Sequence, residues 1–196
     1  MFFLILSPGV SGQDKVWPKK INSIDAYSLL NQIPETFLID VRTRAEYQYV
    51  GHPTNAYLFP YMFFTGKLVK SGDSYEYQAG SENRDFIEEI GKKFRKTDNL
   101  IIISRDGTRS ALAARDLVKA GYEHVYDVED GFEGPEFPHF KDPKKYKYYM
   151  QVAKQNKIDG FQERRHYGWQ WWGLPWTYKV ESKYLYPPDL PKSAAQ

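Results

Sequence analysis

A polar run, Ser104, Arg105, Asp106, Gly107, Thr108, Arg109 and Ser110, follows the most apolar stretch of the chain, Leu100-Ile-Ile-Ile103, and precedes an Ala- and Leu-rich segment. Where strands alternate with helices, ligands sit beyond the carboxyl ends of the strands, so this turn is the first place to seek chemistry. That chemistry is bounded by an absence. The chain contains no cysteine, which excludes disulfides, cysteine-ligated zinc, iron–sulfur clusters and any thiolate or persulfide step supplied by these residues. Ser104 is then a candidate nucleophile, but serine catalysis needs an adjacent general base and usually a group that orients it. The nearest histidine in sequence, His124, comes a whole helix later. A hydrolase therefore depends on the fold returning an imidazole to Ser104. The four histidines, His52, His124, His139 and His166, show no HxxxH or HExxH spacing. A metal site would have to be assembled from distant segments, and neither a metal nor a cofactor is expected.

The elements that must position this turn can be read from hydrophobic pattern. Residues 23–32 open with a capping serine or aspartate and place Ile24, Tyr27 and Leu30 at helical spacing. Phe37-Leu-Ile-Asp-Val41 is a short apolar run of the kind buried on both faces of a sheet, and 56–59 is a second. Residues 83–94 carry Phe86, Ile87, Ile90 and Phe94 on one helical face. Strand 100–103, a helix over 108–120 stopped at Gly121, and strand 125–128 complete the series. Alternation of this kind predicts an α/β domain with a central, mainly parallel sheet and helices on both faces.

Composition narrows the partners. The net charge is +2 with 27% charged residues, too balanced for the basic field that nucleic-acid binders use, so no nucleic acid is expected. No stretch is long and apolar enough to span a bilayer, which takes about 20 residues. The start, an apolar run over 1–6 followed by Ser7-Pro-Gly-Val-Ser-Gly-Gln13, reads as a shortened export signal. It points to an exported or periplasmic protein, with a cytoplasmic one as the alternative.

The motifs are specific. Asp40-Val-Arg-Thr-Arg-Ala-Glu-Tyr47 is followed by Gly51-His-Pro53 and Asn55-Ala56. Ile101-Ile-Ile-Ser-Arg-Asp-Gly-Thr-Arg-Ser110 leads to Ala113-Ala114, Leu117 and Ala120-Gly121-Tyr122. Val125-Tyr-Asp-Val128 precedes Gly131-Phe-Glu-Gly134, and Gly168-Trp169 precedes Gly173-Leu-Pro-Trp176. In type and order these blocks resemble the rhodanese family over about residues 21–176. The resemblance implies a three-layer rhodanese-like domain over 21–176, after an N-terminal segment 1–20 and before a Pro- and Tyr-rich tail 177–196.

Two departures from the family pattern carry the functional expectation. The family loop reads Cys-Arg-x-Gly-x-Arg and its cysteine carries a persulfide, whereas Ser104 stands at that position here. The second is an insertion, 135–165, before the final Gly-Trp segment. A serine hydroxyl is a far weaker acid than a thiol and forms no persulfide, so the resemblance implies a pseudoenzyme rather than a sulfur carrier. Sulfur transfer through a partner's thiol, or hydrolysis by Ser104, is the alternative. What survives is an anion-shaped cradle of the 105–110 amides with the guanidiniums of Arg109 and Arg105, a candidate site for a small oxyanion. Two readings of Arg109 stand open, anion contact or a tie from the loop to neighbouring carboxylates, and Asp106 opposes a bound anion. Asp40 and Arg42 are expected to brace a strand end as a buried pair, and His52 to brace a turn. Trp169 and Trp172 share one helical side and are expected in the core, with Trp171 pointing elsewhere. The insertion 135–165 and the tail 177–196, both rich in aromatic residues, are expected to bind a protein partner, as in an accessory subunit of an exported complex.

Overall fold

The computed structural model describes residues 17–78, 80–134 and 167–189, with scattered positions between 144 and 155. The apolar start and the insertion 135–165, apart from those scattered positions, lie outside the described residues. Strand β1 (Lys19–Ile21) leads into helix α1 (Ser23–Gln32) and strand β2 (Thr36–Asp40). A π-helical turn (Glu46–Val50) precedes short strands β3 (His52–Pro53), β4 (Tyr57–Leu58) and β5 (Met62–Phe63). A hairpin of β6 (Leu68–Ser71) and β7 (Ser74–Tyr77) follows, then β8 (Ser81–Glu82) and helix α2 (Phe86–Gly91). Strand β9 (Asn99–Ile103), helix α3 (Thr108–Lys119) and strand β10 (His124–Val128) come next, and helix α4 (Gly168–Trp171) and strand β11 (Trp176–Thr177) stand beyond the insertion.

The central sheet has five parallel strands in the order β1-β10-β9-β2-β4. Because side chains alternate along a strand, Ile39, Leu100, Ile102 and Val125 face α2 and α3, meeting Phe86, Ile90, Phe94, Ala113 and Leu117. Leu38, Ile101, Ile103 and Val128 face the other way, against Ala26 of α1, Phe132 and Trp169. This is the three-layer α/β architecture that the alternating pattern predicts, and among the described residues no helix is long and apolar enough to cross a membrane.

Several local expectations give way. The cap of α1 is Asn22, whose side chain accepts a hydrogen bond from the Asp25 amide at 2.8 Å, rather than a serine or aspartate. Its buried face centres on Ser23 and Ala26, so Ile24 lies exposed. Trp169 is buried, but Trp172 is 44% exposed, because α4 ends after a single turn and cannot present both rings to the core.

The tail is the larger correction. It is expected to bind a protein partner, and the residues from 177 to 189 fold back onto their own domain. β11 pairs antiparallel with β3, Tyr184 packs edge-on against Tyr57, and the Arg44 guanidinium grips Asp189. Tyr186 is 2% exposed, edge-on to Phe59, with its hydroxyl hydrogen-bonded to Asn83. These contacts hold the tail against the domain that precedes it. An apolar tail held near its own core buries surface at less entropic cost than one waiting for a partner.

Candidate functional site

The site is built on the carboxyl end of β9. Strand β9 delivers Ser104 to the sheet end, and α3 starts four residues later. Between them the loop turns through Gly107, whose φ of +87° lies in the left-handed region. A Cβ there would stand 2.2 Å from the Glu129 carbonyl oxygen, so glycine is required twice over. The turn after β10 holds the loop from outside. The Phe132 amide donates to the Ser104 carbonyl at 2.8 Å and the Glu133 amide to that of Arg105 at 2.9 Å.

Ser104 is fully buried beneath the loop, and its hydroxyl donates to the Ser110 Oγ at 3.2 Å. Ser110 in turn donates to the Gly107 carbonyl at 3.0 Å. His124 opens β10 in register with Asn99, four residues before Ile103, so it sits roughly 13 Å from the loop end of the sheet. The fold thus carries the nearest histidine in sequence away from Ser104. Among the described residues, His124 is therefore not placed to serve Ser104 as a base.

Arg109 does not reach into the open. It makes a two-pronged contact with Glu46, at 2.8 and 2.5 Å, across the start of the π-helical turn. Glu46 also accepts from the Thr43 amide and hydroxyl. Burial alone would raise the Glu46 pKa, but the hydrogen bonds and charge of Arg109, with those of Thr43, hold it at about 2. Burial likewise works against the Arg109 charge, and Glu46 overrides it, leaving Arg109 above the ordinary arginine value. Of the two readings, the tie to a carboxylate is the one the contacts describe.

Asp106 lies one residue before the cap position held by Gly107, its Oδ1 accepting the Thr108 amide at 3.1 Å. One donor at the α3 N-terminus is therefore filled by the chain's own carboxylate. The amides of Arg105, Gly107, Arg109 and Ser110 have no acceptor among the described residues. A cleft of about 520 Å³ opens over the loop, walled by Arg105, Asp106, Thr108 and Arg109 on one side and by Met62 and Phe64 on the other. The Arg105 Nε is buried without a partner among the described residues.

Behind the site, Asp40 and Arg42 form a fully buried pair, with Arg42 Nη2 2.7 Å from both Asp40 Oδ2 and the Gly51 carbonyl. The guanidinium lies 4.1 Å from the centroid of the Phe132 ring. His52 Nδ1 donates to the Tyr47 carbonyl at 2.8 Å, and the two rings stack at 3.6 Å. Burial pushes the imidazole below its ordinary pKa, against the pull of that carbonyl. Sequence reasoning left two residues of this frame without roles. One is Glu46, whose signal was its place in the Asp40–Tyr47 motif. The other is Asp130, which accepts from the amide and hydroxyl of Ser23 at 2.8 Å and from the Gly168 amide at 3.1 Å, joining α1 to α4.

Comparison with known proteins agrees with this geometry. The family model described as "Rhodanese-like domain" matches residues 24–135, more than half of the chain. The Arabidopsis thaliana "Rhodanese-like domain-containing protein 15, chloroplastic" is 35% identical over 95 residues, 48% of this chain and 45% of that relative. The chain thus spans about half the length of that curated relative. "Thiosulfate sulfurtransferase 16, chloroplastic", from the same plant, is 35% identical over 94 residues, 48% of this chain and 68% of its own length. The crystal structure of Rv0390 from M. tuberculosis shares the fold, with a TM-score of 0.57 at 23% identity, covering 84% of this chain and 100% of that one.

Proposed function

Since the chain belongs to the rhodanese-like domain family, we propose that it uses the fold as a non-catalytic binding module instead of as a sulfur carrier. The observation that carries this reading is Ser104. It stands where the family holds its persulfide cysteine, it is buried and bonded to Ser110, and no cysteine exists elsewhere in the chain. A capacity for a small oxyanion is supported by the loop amides that have no acceptor among the described residues and by Arg105, while Arg109 holds the loop in shape. Sulfur transfer remains the second reading, because a relative is named a thiosulfate sulfurtransferase. It would require a thiol from another protein.

The partner in this proposal is a protein, in keeping with an accessory subunit of an exported complex. The exposed rings of Trp171, Trp172, Trp176 and Tyr178 support a contact surface there, and the aromatic insertion 135–165 follows directly on the site's bracing turn. The apolar start supports the exported setting. The test is a thiosulfate:cyanide sulfurtransferase assay of the full chain and its Ser104→Cys variant. The unmodified protein is expected to show no turnover, and the variant to form a persulfide detectable by mass. Turnover by the unmodified protein without added thiol would overturn the proposal.

A further inference from the structure

A second depression, of about 390 Å³, opens between strand β1 and helix α3 and shares no lining residue with the loop cleft. Its size falls in the range of about 300–1,000 Å³ that small-molecule sites occupy. Asp127 forms its base, Trp17 and Leu112 offer apolar wall, and Lys20 and Arg115 stand at its margin. The placement follows from the sheet. Lys20 pairs directly with Asp127 across the β1–β10 ladder, so both side chains rise from the face that α3 covers.

Asp127 is 2% exposed, and its Oδ1 has no hydrogen-bond partner among the described residues. Burial holds its pKa above the ordinary value, against the opposing pull of Ser110 and Lys20 and with the push of Glu129. A buried acceptor without a donor is costly to leave so. Neither Lys20 nor Arg115 makes an ion pair within the described residues. The depression therefore joins a buried carboxylate, two cations outside any ion pair among the described residues and an apolar wall.

We infer that this depression binds a small zwitterion of the α-amino-acid class with an apolar side chain. Its ammonium donates to the Asp127 carboxylate, its carboxylate lies between Arg115 and Lys20, and its side chain rests on Trp17 and Leu112. Simpler ligands match the site less well. A plain anion meets the Asp127 carboxylate, and a plain amine leaves both cations unanswered.

Isothermal titration of the full chain with L-phenylalanine tests this, beside phenethylamine and 3-phenylpropionate, which each lack one of the two charges. Saturable binding of L-phenylalanine is expected, with both half-ligands weaker by about tenfold or more. Asp127→Asn is expected to weaken L-phenylalanine and phenethylamine but not 3-phenylpropionate, and Arg115→Ala to do the reverse for the half-ligands. Far-UV circular dichroism and the melting temperature establish that each variant folds. The inference is overturned by the absence of saturable heat at ~10 mM probe. It is also overturned if 3-phenylpropionate binds as tightly as L-phenylalanine, or if folded Asp127→Asn retains full affinity for L-phenylalanine.

Discussion

Glu46 and Arg109 show how one ion pair fixes what the loop can do. Because the Glu46 pKa is lowered to about 2 from an ordinary 4.5, the folded state holds its carboxylate more strongly than the unfolded chain does. The linked stability is fully present above the unfolded value and is lost as pH falls from about 4.5 through about 2. Its size is on the order of 3 kcal/mol, at ~1.4 kcal/mol per unit. Glu46→Gln is therefore expected to lose a comparable amount already at pH 7, since it strands the Arg109 charge. Urea melts of both proteins from pH 7 to pH 2.5 check this: the gap between the two curves should narrow toward the acid end. Identical stability at pH 7 would mean that the pair is ornamental and that Arg109 is available to an anion. The motif placed Glu46 in the sequence, but only the fold shows that it is this carboxylate, and not Asp40 or Asp106, that Arg109 grips.

Among the elements, the folded-back tail makes the sharpest prediction. Tyr186→Ala removes a buried ring beside Phe59 and opens a cavity, at a cost of ~3–5 kcal/mol, or about 10 °C in melting temperature for a chain of this size. Tyr186→Phe keeps the ring and loses the Asn83 bond, at ~1 kcal/mol. Calorimetry of the two variants separates packing from hydrogen bonding, and an unchanged melting temperature for Tyr186→Ala would return the tail to the role of a free arm. The strands and helices around the site were legible because each repeats its period over several residues, as in Leu100 to Ile103 and Thr108 to Lys119. The tail was not, because Tyr186 carries no local sign that its partner Asn83 lies 103 positions earlier. Strands β1, β5 and β8 are too short to show alternation. The β6–β7 hairpin does carry a signal, the Gly72-Asp73 turn between paired Ser71 and Ser74.

For the whole molecule, the strand order explains why one face of the sheet end can host two depressions. Strand β9 lies at the centre with β2 and β10 on its flanks, so the loop after it is hemmed by the motif after β2 and by the turn after β10. Helix α3 then separates the loop cleft from the depression over Asp127. Family membership was legible in the sequence from the ordered blocks alone, whereas the Asp127 depression was not, since it needs β1 to lie beside β10.

The strap formed by residues 177–189 also sets an order of events in time. Its contacts join residues far apart in the chain, Arg44 to Asp189 at a separation of 145 and Tyr186 to Asn83 at 103, whereas β2, β9, α3 and β10 are linked by nearer neighbours. Closing long loops is slow and entropically costly, so the strap is the last part to dock on folding and the first to peel away. Native-state hydrogen exchange should find the amides of Leu185 and Asp189, whose acceptors lie within the strap, opening well before those of Ile101 and Ile102. Uniform protection across both regions would mean that strap and sheet melt as one unit. The same peeling would bare Phe59 and Phe63 while the central sheet stays intact, and so give this domain a partly open state with its own lifetime.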